Sequence, residues 1–290
     1  MNDSNNNIIR IGGVPEHFNL PIHLAIERGL FESRGVQVEW TTFKGGTGQM
    51  TKALRNNEVD LCILLTEGII TDIINGNPSK IISNYVISPL TWGIHSGANN
   101  ELDRYKDIFS KKYGISRFGS GSHLMAIVDA NSKGHEIDKA QFNVIKNLDG
   151  ALDSLTKLET DVFYWEKYTT KPYVESGQLK RVGEYVTPWP CFMIAATDKV
   201  LAEQPENVIR TLRTIHDISD EFMQNEAEAI KMVSERYGQK MADVDRWFHS
   251  TEWAIHGWVA DKMLKGVIYH LKMADIVAED AVIPDLVWRR

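Results

Sequence analysis

A pattern that recurs at an offset of 101 residues constrains this chain more than any other feature. Leu54-Arg55-Asn56-Asn57-Glu58-Val59-Asp60-Leu61-Cys62-Ile63-Leu64 returns as Leu155-Thr156-Lys157-Leu158-Glu159-Thr160-Asp161-Val162-Phe163-Tyr164-Trp165, with Leu, Glu and Asp at matched places. In each copy a helix-like segment ends near Glu and Asp and runs into an apolar segment of strand length. Polar residues follow each strand: Thr66-Glu67-Gly68 in the first copy, Glu166-Lys167 in the second. A repeat this long is not a solenoid unit, so it predicts two similar α/β lobes. Two such lobes leave a cleft, and α/β sheets hold ligands at the carboxyl ends of their strands.

A length of 290 residues suits two cores of ordinary size. The hydrophobic share of 43% and charged share of 24% are those of a folded globular chain, which excludes disordered and fibrous classes. A net charge of −7 with interspersed signs argues against a nucleic-acid partner, whose phosphates need a basic face. Cys62 and Cys191 stand alone in apolar runs and read as buried free thiols. The histidines are scattered, so neither a metal nor a cofactor is expected. The start, Met1 to Asn7, has neither a basic nor an apolar leader region, and no apolar stretch is long enough to span a membrane as a helix. The expectation is therefore a cytoplasmic protein without a membrane-transporter partner. A periplasmic location is the alternative if a leader has been removed.

Strands alternate with helices along both lobes, which means mostly parallel sheets. In the first lobe, strands are expected at 8–12, 36–42, 59–65 and 80–87. Asn19, Thr47 and Thr66 stand where helix caps are needed. Ser88-Pro89-Leu90 reads as a break, followed by a strand at 91–95 that leaves lobe one. The second lobe has an expected helix near 102–111, a strand at 113–116 and a glycine-rich turn, Arg117 to His123, that opens a helix. Thr187-Pro188-Trp189-Pro190 reads as a second break before the strand 191–197, and the remainder is helical. Two breaks imply a discontinuous lobe one, residues 1–90 and 187–290, and a lobe two of residues 91–186, joined by a two-stranded hinge.

The run from Gly13 to Phe31 (Gly-x-Pro-x-x-x-Asn-x-Pro-x-x-x-Ala-x-Glu-x-Gly-x-Phe), with Gly45-Gly46-Thr47 and Asn57-Glu58-Val59-Asp60, resembles the type II periplasmic-binding-protein fold. The nearest branch looks like the nitrate, sulfonate, taurine and thiamine-pyrimidine binders. Gly119-Ser120-Gly121-Ser122-His123 and Trp189-Pro190-Cys191-Phe192 look most like a leaderless subfamily of fungi and some bacteria. The resemblance implies an α/β protein of two lobes that closes on one small molecule. A related group of fungal pyrimidine synthases has a reacting histidine at the start of the first helix and a cysteine motif for iron. Here Asn19 occupies that place and no cysteine cluster exists, so that chemistry is not carried over.

Candidate ligand-binding residues come from the strand ends. Ser120, Gly121 and Ser122 lie at a helix start whose free N–H groups suit an anionic or acceptor group, although plain capping also explains the serines. Arg117 can complete an anion clamp or pair with Glu67. Thr47 and Thr66 serve as caps or as ligand contacts. Glu67 and Glu166 follow apolar strands, where a carboxylate must find solvent, a cation or a ligand N–H. Trp165 and Trp189 can stack on a planar ligand or fill the core. His17 and Asn19 belong to the first loop and its helix, where His17 can donate to a ligand. No nucleophile accompanies these groups, so no catalytic residue is named. The reading is a non-catalytic binding protein, a sensor or carrier, for a thiamine-pyrimidine-like heterocycle or a small sulfonate or carboxylate. The alternatives are an enzyme of the same fold in cofactor-precursor synthesis and a protein-interaction module with a vestigial cleft.

Overall fold

A computed structural model describes residues 7–289. The polar start that bears on a leader, residues 1–6, lies outside them. The chain divides into two compact units. The first comprises residues up to Ser88, Trp189–Gly266 and Asp280 onward, and the second Pro89–Pro188 and Val267–Glu279.

The first unit opens with β1 (Ile8–Gly13), α1 (Leu20–Glu27), β2 (Gln37–Thr42), α2 (Thr47–Arg55), β3 (Leu61–Leu65) and α3 (Thr66–Ile74). β4 (Ser79–Gly97) starts here and continues into the second unit. There follow β5 (Tyr113–Ile115), α4 (Gly121–Ser132), β6 (Phe142–Val144), α5 (Leu148–Thr156), β7 (Val162–Glu166) and α6 (Lys171–Glu175). β8 (Leu179–Thr197) returns the chain to the first unit for α7 (Asp198–Glu203), α8 (Pro205–Gln224), α9 (Glu226–Tyr237) and α10 (Met241–His249). α11 (Asp261–Met273) belongs to the first unit up to Gly266 and to the second beyond it.

Within the first unit the strand order is β2-β1-β3-β8, parallel except for the β3–β8 pair. Within the second it is β4-β7-β5-β6, parallel except for the β4–β7 pair. The protein is thus an α/β fold with a mixed sheet flanked by helices. Strands covered on both faces need apolar residues on both, and β3 and β8 supply them with Leu61, Ile63, Leu64, Met193, Ile194 and Ala195, all buried. α8 lays Val208, Leu212, Ile215 and Phe222 against the core at helical spacing and packs on α1. The second unit has its own cluster in Ile145, Ala151, Leu155, Phe163 and Leu179.

The repeat is visible in the elements themselves. α2 spans residues 47–55 and α5 spans 148–156; β3 spans 61–65 and β7 spans 162–166, each bound shifted by the same 101. Both connections turn through a left-handed residue, Asn57 at φ 52° and Leu158 at φ 58°. The matched aspartates do the same job. Asp60 Oδ2 accepts from the Arg10 backbone N–H at 2.8 Å beside β3, and Asp161 Oδ2 accepts from that of Lys112 at 3.0 Å beside β7. Each carboxylate satisfies a backbone donor in or beside the neighbouring strand, which locks the start of the pairing.

Three expectations change. Ser88-Pro89 and Thr187-Pro188-Trp189-Pro190 do not break strands: β4 and β8 run through them for 19 residues each. A proline only removes one N–H from a ladder, and these prolines stand at or beside the points where the strands pass from one unit to the other. The helix expected near 102–111 is a 3₁₀ segment, Tyr105–Ser110. Finally, Gly46 and Leu65, not Thr47 and Thr66, occupy the cap positions of α2 and α3. Gly46 has φ 65°, ψ −158°, a conformation that suits only glycine, and this brings Thr47 into the helix.

Candidate functional site

In the first unit, the loops after β1, β2 and β3 gather His17, Asn19, Thr47, Thr66 and Glu67, all buried. The backbone there is tight. A Cβ on Gly13 would lie 2.4 Å from the Trp40 ring and 3.0 Å from Asn19 Nδ2, so the absence of a side chain lets the first loop fold against the strand end. Asn19 Nδ2 donates to Val14 O at 2.8 Å, which fixes the amide's orientation and leaves Oδ1 without a partner among the described residues. Asn19 precedes α1 as expected, but its side chain makes no capping bond.

His17 is held by aromatic contact. It stacks on Phe18 with centroids 4.9 Å apart and meets Trp247 edge-on at 4.2 Å. Burial pushes its pKa down to about 3, so the ring is neutral at ordinary pH. Nδ1 faces Gln239 Nε2 at 3.4 Å, while Nε2, Gln239 Oε1 and Trp247 Nε1 have no partner among the described residues.

Thr47 and Thr66 turn their hydroxyls inward. Thr47 Oγ1 accepts from the Leu65 backbone N–H at 3.2 Å, and its methyl occupies the space that a Cβ on Gly68 would need, 2.4 Å away. Thr66 Oγ1 donates to Pro190 O at 2.5 Å. Glu67 Oε2 accepts from Trp189 Nε1 at 2.9 Å, and Oε1 has no partner among the described residues. Burial raises the Glu67 pKa to about 7, against the pull of that indole and of its own backbone N–H. The indole edge of Trp189 is thus committed to Glu67.

In the second unit, Gly119, at φ 76°, leads into α4, with Ser120 as the cap accepting from His123 N at 3.4 Å. Ser122 Oγ accepts from Ser116 N and contacts Ser120 Oγ, both at 3.0 Å. Gly121 and Arg117 are half-buried on the same turn. His123 Nδ1 accepts from Gly119 N at 3.1 Å, which leaves the proton on Nε2, and burial lowers its pKa to about 4. Glu166, at the end of β7, is buried but satisfied: its oxygens accept from the backbone N–H of Tyr168 and Thr169 and from Thr169 Oγ1. Burial still raises its pKa. Trp165 is half-buried and stacks on Phe163 at 5.2 Å.

Each unit therefore brings its own candidates together at strand ends. Trp247 and Gln239 escape a local reading, because their contact with His17 closes more than 200 residues of chain. Among the described residues, Glu226, Asp245 and His249 also converge, but all three are exposed and read as a surface ion-pair cluster.

The comparisons agree with this architecture. Residues 92–185 match the model of the Ca3427-like PBP family. Over 94% of this chain and 92% of the other, the structure is similar to the conserved Candida albicans CA3427 gene product, which has the generic periplasmic binding protein fold, with a TM-score of 0.89 and 27% identity. The fold of this chain is the periplasmic-binding-protein fold. Its fold is also that of the alkanesulfonate-binding protein SsuA from Xanthomonas axonopodis pv. citri (TM-score 0.81, 14% identity, 98% and 99% of the chains covered). The nitrate-binding protein NrtA from Synechocystis PCC 6803 shares it too (TM-score 0.72, 16% identity, 94% and 83%). No curated protein matches in sequence. Among the described residues, no helix is long and apolar enough to cross a membrane.

Proposed function

We propose that this protein is a non-catalytic sensor or carrier that binds one small molecule at its strand-end loops. The observation that carries the reading is the set of buried polar atoms after β1 and β3 that have no partner among the described residues: His17 Nε2, Asn19 Oδ1 and Glu67 Oε1. Buried polar atoms are nearly always paired in a folded protein, because a bare one costs about 1–3 kcal/mol. Three at the ends of adjacent strands are what a ligand would satisfy. Trp165 and Trp189 offer apolar area to a planar body, and Ser120 and Ser122 offer a helix start to an acceptor group.

The test is thermal unfolding against a panel of thiamine-pyrimidine-like heterocycles and small sulfonates and carboxylates. A ligand at about a hundredfold excess over its Kd adds about 2.7 kcal/mol, which raises the midpoint by several degrees. The double variant Ser120→Ala/Ser122→Ala and the single variant Trp165→Ala should reduce that rise. An equal rise in the parent and in both variants would show that the ligand sits elsewhere.

A further inference from the structure

Glu67 is the second residue of α3, directly after the carboxyl end of β3. Its neighbours Leu64, Ile69 and Ile70 are buried and apolar. Nothing in that packing calls for a carboxyl group. A carboxylate has room for about four hydrogen bonds, yet Glu67 has a single side-chain donor, Trp189 Nε1, and its Oε1 is bare. Among the described residues, no cation contributes to its electrostatics. By contrast, Glu166 is fully engaged by its own loop.

Asn19 is a second, independent observation in the same unit. Its amide nitrogen is committed to Val14 O, so the bare atom is the oxygen, another acceptor with no donor. A donor-bearing ligand would complete both groups. A sulfonate or carboxylate would bring further acceptors to acceptors.

Resting on the binding reading above, we propose that the ligand presents a nitrogen base (an amidine, guanidine or protonated amine) to Glu67 Oε1 and Asn19 Oδ1. An N–H···O bond to a carboxylate is charge-assisted and about twice as strong as a neutral one. A site built to receive a donor discriminates steeply against an analogue that lacks it, because its own polar atoms then stay bare.

The test uses two probes of one shape and opposite chemistry, benzamidine and benzenesulfonate, titrated calorimetrically into the full chain. Benzamidine should bind the parent, and about tenfold or more weakly the Glu67→Gln variant, the loss expected for one charge-assisted bond. Glu67→Asp, which keeps the charge, should restore part of that affinity. Circular dichroism of both variants checks that they are folded. Equal benzamidine affinity in the parent and Glu67→Gln overturns the inference. So does uptake of benzenesulfonate alone. If that uptake is lost in Ser120→Ala/Ser122→Ala, the binding reading stands while the nitrogen-base assignment falls. Neither probe binding at millimolar concentration overturns the nitrogen-base assignment as well, and the binding reading then rests on the molecule that the protein itself retains.

Discussion

Replacing Glu67 by glutamine should change how stability depends on pH, in a way that isolates one buried carboxyl. Its pKa is raised from 4.5 to about 7 in the folded protein, chiefly by burial. The folded state therefore binds this proton more tightly than the unfolded chain does. The contribution is fully present below pH 4.5, declines as pH rises towards 7 and is gone above it. At about 1.4 kcal/mol per unit, the shift corresponds to roughly 3 kcal/mol. Glutamine keeps a carbonyl for Trp189 Nε1 and cannot ionise. The parent should thus lose about 3 kcal/mol relative to Glu67→Gln between pH 4.5 and pH 8. The buried histidines act in the opposite sense: with His17 and His95 lowered to about 3, their contribution is present above 6.5 and is lost as pH falls through that value and on towards 3. They are common to both proteins and cancel in the difference. The assay is urea unfolding of both proteins across this pH range, with midpoints and slopes compared. Parallel curves would show that Glu67 is ionised and solvated in the folded protein, which would refute the burial argument.

Other expectations concern the scaffold around the strand ends. Gly68→Ala should cost about 1–3 kcal/mol, because its Cβ meets Thr47 Cγ2 at 2.4 Å; Thr47→Ser, which removes that methyl, should recover most of the loss in a double-mutant cycle. Asp60→Ala and Asp161→Ala should each destabilise their own unit, with Asp60 the costlier by about 1–2 kcal/mol because it also holds the Arg10 guanidinium at 2.7 Å, a charge-assisted contact, where Asp161 holds the neutral Asn100 amide at 2.8 Å. Denaturant unfolding of both variants and of the double variant checks this, and equal effects would contradict it.

Much of the fold was legible because the repeat is written in local chemistry. Leu, Glu and Asp at matched places set α2 with β3 and α5 with β7, and the structure keeps the same spacing down to the left-handed Asn57 and Leu158. The capped turn at Ser120 and the stop of α9 at Gly238 follow from single residues. Prolines 89, 188 and 190 misled, since a proline's effect depends on whether the ladder needs its N–H, and pairing is not visible locally. Thr47 and Thr66 missed their cap positions by one residue for a similar reason: Gly46 and Leu65 take those positions, and the threonine hydroxyls serve distant backbone at Leu65 and Pro190. For the candidate site, residue type and place at a strand end picked out Glu67 and His17. That Trp189 holds one oxygen of Glu67, and that Trp247 packs against His17, depends on folds of the chain that bring residues more than 100 positions apart together.

Native mass spectrometry of gently purified protein shows whether these strand ends hold one small molecule without transforming it. The expected spectrum has a mass excess of one small molecule per chain that disappears on denaturation, is recovered chemically unchanged, and is reduced in Glu67→Gln and in Ser120→Ala/Ser122→Ala. A retained molecule unaffected by both variants, or one converted to a product on incubation, would contradict it.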